Sequence, residues 1–129
     1  MQEPIPEDVK QFILDSIDSV AQLEALLLLR SDLQADWTTR KVAERLYLSE
    51  QETIPLLARL CTDGLLTVTE QEPPVYRYRP DSSELRHMVD RLAETYSTHL
   101  VPITNLVHSK ARTRLQKFAD AFKFLRKEK

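Results

Sequence analysis

His87, His99, His108, Cys61 and Gly64 are the residues of this chain whose types most often serve a fixed chemical site. A histidine metal site on one helix needs ligands about one turn apart. The three histidines do not have that spacing, and a lone cysteine can build neither a cysteine-based zinc site nor a disulfide framework. A nucleophile needs a base within reach, yet no Ser or Cys stands near a His in a recognisable motif. A loop that cradles phosphate needs several glycines, and there is one. The sequence therefore predicts no enzyme, no cofactor and no metal, and Cys61 reads as a structural cysteine beside a buried helix face. The chemistry that remains is recognition by charge, amide and apolar contact.

Charge is unevenly placed. Residues 1–80 hold 14 Asp and Glu against 8 Lys and Arg, a balance of −6, whereas residues 81–129 hold 6 against 10, a balance of +4. The surplus sits in Lys110, Arg112, Arg114, Lys117, Lys123, Arg126, Lys127 and Lys129. Non-specific affinity for nucleic acid is largely phosphate neutralisation, so the acidic first part counts against strong binding there. With 129 residues, 42% of them hydrophobic, the chain can bury a core as one domain, or as one domain plus an extension. There is no apolar run long enough to span a bilayer, and the acidic start MQEPIPEDVK is unlike a signal peptide. A cytoplasmic protein with no membrane insertion is expected.

The elements that must position these side chains can be read in order. Pro6 suits the first position of a helix carrying Val9, Phe12, Ile13 and Ile17. Ser19 and Gln22 form a capping-box pair before a helix whose leucines, Leu23 and Leu26 to Leu29, imply burial on more than one side. SDLQAD reads as a turn, Trp37-Thr38 as a short extended piece, and Thr38 or Thr39 as the next cap. Val42, Ala43, Leu46 and Leu48 give that next helix and its turn an apolar inner face. Ser49 and Glu52 form an S-x-x-E box that starts another helix, and Gly64 stops it by entering the left-handed region without steric cost. Leu65–Thr69 and Val75–Arg79 alternate as two strands about a turn at Gln71–Pro74, with Tyr76 and Tyr78 on the inner face and Arg77 and Arg79 on the other.

Helix, tight turn, helix ending in Gly, then a two-stranded hairpin: the stretch TTRKVAERLYLSEQETIPLLARLCTDGLLTVTEQEPPVYRYR resembles the winged helix-turn-helix domain of MarR-like and ArsR-like bacterial regulators. The resemblance covers residues 20–80. It implies a mostly α fold with a small β-hairpin wing, and a second motif helix presented to a DNA major groove. Spacing alone allows two registers for that helix, one burying Ile54, Leu57, Ala58 and Cys61, the other Thr53, Leu56, Leu57 and Leu60. Matching the family pattern back from Leu60 and Gly64 favours the second, which turns Glu50, Gln51, Ile54, Pro55 and Arg59 outward. The DNA-facing set implied is then Thr38, Thr39 and Arg40 at the start of the first motif helix, Ser49, Gln51, Ile54, Pro55 and Arg59 on the second, and Arg77 and Arg79 in the wing. Relatives commonly carry Ser, Thr and Arg on the outward face; Ile54-Pro55 departs from that, and Pro55 is expected to distort the helix start.

Beyond Pro80 a long helix is capped by one of Asp81 to Ser83. Leu85, Val89, Leu92, Tyr96, His99, Ile103 and Leu106 recur at heptad spacing, and Pro102 should kink or split the helix. Leu115, Phe118, Phe122 and Leu125 continue with similar spacing. A lone helix over a small domain does not easily cover such a seam, so it is read as a homodimer contact. The domain reading is a winged helix-turn-helix with an N-terminal helix over 1–80 and a helical, dimerising extension over 81–129. The functional reading is a homodimeric DNA-binding transcriptional regulator. The alternative is a winged helix that binds another protein and has little DNA affinity.

Overall fold

The computed structural model describes the backbone of residues 4–127 and the side chains of residues 4–123. Leu125, Arg126, Lys127 and Lys129 therefore lie outside the described side chains. The architecture is mostly helical with one small antiparallel hairpin.

Helix α1 (Glu7–Ser16) buries Val9 and Ile13. Pro6 stands one residue outside it, at the cap rather than the first helical position, and its carbonyl accepts from Lys10 N–H at 2.9 Å. Helix α2 (Val20–Ser31) is capped by Ser19, whose hydroxyl accepts from Gln22 N–H at 3.1 Å. The reciprocal half of the capping box is absent. The buried Gln22 side chain instead accepts from Asp18 N–H at 2.7 Å and donates to Ser16 C=O at 3.0 Å, so it stitches the α1–α2 joint. Leu23, Ala25, Leu26 and Leu29 are fully buried and Leu27 and Leu28 partly so, because α2 touches α3, α4 and the wing at once.

Helix α3 (Thr39–Leu46) starts under Thr38, whose hydroxyl accepts from Lys41 N–H at 3.2 Å. It ends at Tyr47, which takes a left-handed φ of 58° that is costly for a residue with a side chain. Leu48 N–H then reaches Ala43 C=O at 2.9 Å, closing the turn. Helix α4 (Glu50–Thr62) has the complete capping box, with Ser49 Oγ accepting from Glu52 N–H and the Glu52 carboxylate accepting from Ser49 N–H. Thr53, Leu57 and Leu60 are buried and Ile54 is exposed, which settles the register. Pro55 lacks the N–H that would bond one turn back, yet it does not end the helix, which runs through it to Thr62 with its cap intact. Gly64, at φ 77°, ends the helix. A Cβ there would also sit 2.1 Å from an Asp81 carboxylate oxygen, so crowding adds to the conformational demand.

Strands β1 (Leu66–Val68) and β2 (Tyr76–Tyr78) pair in the register Leu66 with Tyr78 and Val68 with Tyr76. Trp37 adds a single bridge, its carbonyl accepting from Tyr76 N–H at 2.7 Å. Leu57, Leu60, Leu65, Leu66 and Tyr78 are buried under the wing, with Leu46 and Tyr76 packed against them at the edge.

Helix α5 (Ser83–Thr98) is capped by Ser82, and α6 (Leu100–Lys127) follows a break at His99, so Pro102 falls in the first turn of α6, where a missing N–H costs little. Val89, Leu92 and Ile103 are fully buried against Val9, Ile13 and Ile17 in the same core. The expectation that this seam needs a second chain is thereby corrected: α1 and α2 cover it. Leu85 and Leu106 are partly buried on the same core, Tyr96 donates to Glu24 of α2 at 2.7 Å, and His99 terminates α5 through its own N–H on Thr95 C=O at 2.7 Å.

Candidate nucleic-acid interface

Because Thr53, Leu57 and Leu60 bury one side of α4, the opposite side carries Gln51, Ile54, Pro55 and Ala58, all exposed. These stand at i, i+3, i+4 and i+7, which makes one continuous stripe along the helix. At its N-terminal end Ser49 and Glu52 are spent on each other in the capping box. At the entrance of α3, Thr38 and Thr39 are partly buried and Arg40 is exposed, paired with Glu44 one turn on at 3.2 Å. The first N–H groups of α3 are unbonded within the helix, and their positive end attracts phosphate oxygens. Tyr47, 95% exposed, projects from the turn between α3 and α4.

The four arginines expected to meet DNA do not share one environment. Arg59 lies on the flank of α4 and is the only cation of that helix; it donates to Asp63 at 2.9 Å and to Asp18 at 2.7 Å. The Asp63 hydrogen bond, then the Asp18 charge, holds it firmly in its charged form. Arg77 is turned back on the α2–α3 loop, where it donates to the Asp36 carboxylate and the Leu33 and Ala35 carbonyls. Arg40 keeps an exposed i, i+4 pair with Glu44. Arg79 is exposed at the end of the wing, where its backbone N–H donates to Leu65 C=O at 3.0 Å. Asp36, Asp63 and Asp18 thus take up two of the four expected contacts.

Asp18 was not picked out by sequence reasoning. It sits in the α1–α2 joint and gathers Arg59 of α4 with Lys110 and Arg114 of α6, the latter two at 3.4 and 2.8 Å. Lys110 also donates to Ile17 C=O at 2.8 Å. Burial acts to raise the Asp18 pKa, but the Arg114 hydrogen bond and the charges of Arg59 and Lys110 outweigh it and hold the carboxyl below its usual range. One carboxylate therefore ties the flank of α4 to the long C-terminal helix. Its partners lie 41 to 96 positions away, so no local pattern could reveal it. Arg59 with Asp63 was readable, since the two stand at i and i+4.

Cys61 is partly buried and burial pushes its thiol pKa up, as suits a packing residue rather than a reactive one. Among the described residues no group of three or more His, Cys, Asp or Glu is placed to hold a metal ion, and no helix is long and apolar enough to cross a membrane.

No family model matches this sequence, and no curated protein matches it. Solved structures do. MepR, a transcription regulator of the Staphylococcus aureus multidrug efflux pump MepA, superposes with a TM-score of 0.54 at 14% identity, over 94% of this chain and 87% of that one. A MarR-family transcriptional regulator from Rhodococcus sp. RHA1 matches at 0.52 and 19% identity, over 87% and 81%. A MarR-family protein from Bacillus stearothermophilus matches at 0.52 and 17%, over 93% and 81%. At such identities the likeness is one of fold, and it extends beyond the motif into the helices on either side. This chain has the winged helix-turn-helix fold of the MarR-type regulators.

Proposed function

We propose that this protein is a DNA-binding transcriptional regulator that acts as a homodimer. The observation that carries the reading is the exposed α4 stripe of Gln51, Ile54, Pro55 and Ala58, set in a fold shared along nearly the whole chain with transcription regulators. In this fold the second motif helix enters a major groove. The α3 entrance, with Thr38, Thr39 and Arg40, then meets phosphate, and Arg79 of the wing reaches the neighbouring backbone. Arg59 and Arg77 shape the reading head by holding α4 and the wing to their surroundings.

A second copy is supported by α6. Leu115 and Phe118 are 69% and 70% exposed at i and i+3, and Phe122 is 54% exposed one turn on. A stripe of large apolar side chains beyond the chain's own core gains most by packing on its own copy. Residues 81–129 thus serve twice: α5 and the start of α6 complete the core, and the rest of α6 pairs. Two copies present two α4 helices to successive major-groove faces of a palindromic site, about 34 Å apart.

The test is a mobility-shift titration with genomic and random duplexes from 50 to 200 mM salt, alongside light scattering. Binding that weakens steeply with salt, and a mass twice the 15.0 kDa of one chain, are expected. Absence of salt-sensitive binding at 50 mM would overturn the regulator reading, and a mass of one chain at micromolar concentration would overturn the dimer.

A further inference from the structure

We infer that α4 reads A·T base pairs, with Ile54 and Ala58 seated on thymine methyl groups and Gln51 paired to an adjacent adenine; this rests on the DNA-binding reading above and gives it a specificity. Three observations carry it.

The first is the loss of the guanine reader. Guanine shows two acceptors, O6 and N7, to the major groove, and an arginine or lysine is their usual partner. The only cation on α4 is Arg59, and both Asp18 and Asp63 hold its guanidinium on the flank of the helix. The second is the composition of the exposed stripe. Gln51 is its one polar side chain, and its amide offers the donor and acceptor that match adenine N7 and N6. Ile54, 54% exposed, and Ala58 offer only apolar surface. Thymine is the base that presents an apolar group, its C5 methyl, in the major groove. A G·C pair opposite Ile54 would leave its edge groups dehydrated with nothing to bond, a penalty that selects against it. The third is spacing. At about 1.5 Å per residue, Gln51 to Ile54 advances about 4.5 Å and Gln51 to Ala58 about 10.5 Å. Base pairs rise about 3.4 Å, so the stripe spans about three steps, or about four neighbouring pairs. Of the two glutamates near the helix start, Glu52 is bound to Ser49 in the capping box, and Glu50 lies to the side of the stripe.

The experiment starts from a pool of random 24-base-pair duplexes selected on the full-length protein at 50 mM salt. The enriched duplex is resynthesised with deoxyuridine in place of thymidine at one position at a time, which removes a single methyl and leaves base pairing unchanged. Enriched half-sites should hold adjacent A·T pairs. At least one substitution should weaken binding about fourfold, the effect of one buried methyl, and that loss should vanish in Ile54→Ala. Gln51→Ala should flatten an adenine preference of about tenfold at the neighbouring position. Both side chains are exposed, so neither variant threatens folding. Half-sites centred on G·C, or deoxyuridine duplexes bound as tightly as the parent, would overturn the inference and leave DNA binding standing. A methyl effect undiminished in Ile54→Ala would overturn the assignment to that residue. No salt-sensitive binding to any duplex would remove the regulator reading, and the inference with it.

Discussion

The C-terminal helices carry two runs stepped by 3 and 4, Leu85 to Leu106 and Leu115 to Phe122, with a step of nine positions between them, and the two runs have opposite fates. Val89, Leu92, Ile103 and Val107 are dry inside the chain's own core, while Leu115 and Phe118 are more than two-thirds exposed. Periodicity identifies which face of a helix is apolar; what lies against that face depends on how far the partner elements extend. Here α1 is only 10 residues long, and α6 with its 28 residues outruns it. Near Lys110, which still bonds to the carbonyls of Ile13 and Ile17, the cover ends. The first run builds the protomer, and the second stays exposed, the surface on which the proposed second copy would pack.

The largest effect should come from breaking the dry half. Leu92→Ala removes a fully buried side chain and should cost ~2–5 kcal/mol, as should Leu57→Ala under the wing. Leu115→Ala should change monomer stability by less than ~0.5 kcal/mol. Urea unfolding at submicromolar concentration measures all three, and an equal loss at Leu92 and Leu115 would erase the distinction between the two halves. The exposed half is tested in the other direction. Leu115→Asp with Phe118→Asp should leave the fold, seen by circular dichroism, intact while reducing the scattering mass to one chain. A variant that stays dimeric would show that α6 is not the pairing surface.

Asp18 comes next, because it joins α4 to α6 just where the cover ends. Asp18→Asn leaves Arg59, Lys110 and Arg114 close together without their anion and should cost ~1.5–3 kcal/mol at neutral pH, the range for hydrogen bonds to charged groups. The sign with pH is fixed. The folded carboxyl has a pKa below its unfolded one, so its contribution is complete above ~4 and is lost as pH falls through the folded value. Wild type and variant should therefore converge in stability as pH drops below ~4. Asp8, exposed beside Arg91, is lowered in the same way, but it is present in both proteins and cancels from the difference. A gap that stays constant down to acid pH would mean that Asp18 acts by shape and not by charge.

These outcomes bear on what was legible in the chain. Local chemistry was: the Ser49–Glu52 box, Gly64 at the end of α4, a cap at Thr38 or Thr39, another among Asp81 to Ser83 and a kink or split at Pro102 all depend on neighbours within a turn, and the structure takes Thr38, Ser82 and a break at His99 from those options. Composition gave no hint of Tyr47 in the left-handed region, because Gly or Asn is the usual residue there. The register of α4 was ambiguous by spacing and was decided by likeness to a family. Contacts over long sequence distance were not legible. Arg77 meets Asp36 across the wing, Arg59 meets Asp18 across the head, and α1 closes over Val89 and Leu92. An outward position on a helical wheel therefore did not guarantee an available side chain.

That last point yields the smallest and most discriminating measurement, a comparison among the arginines. If DNA binding rests on charges left available, Arg79→Ala should reduce the slope of log K against log salt by about 1 and weaken all duplexes alike, as the loss of one phosphate contact does. Arg40→Ala should act similarly, because its exposed pair with Glu44 is worth little and can open to a phosphate. Arg59→Ala should behave differently. Its guanidinium is already neutralised by two carboxylates, so the salt slope should stay the same while stability falls. Any affinity lost should follow from α4 being less firmly held, and it should recover at lower temperature. Arg77→Ala should resemble Arg59→Ala for the same reason, its charge being taken by Asp36. A salt slope that drops by about 1 for Arg59→Ala would mean that its carboxylates release it to DNA. Arg59 would then be a reader on α4 after all, and guanine would return to the set of bases the helix can recognise.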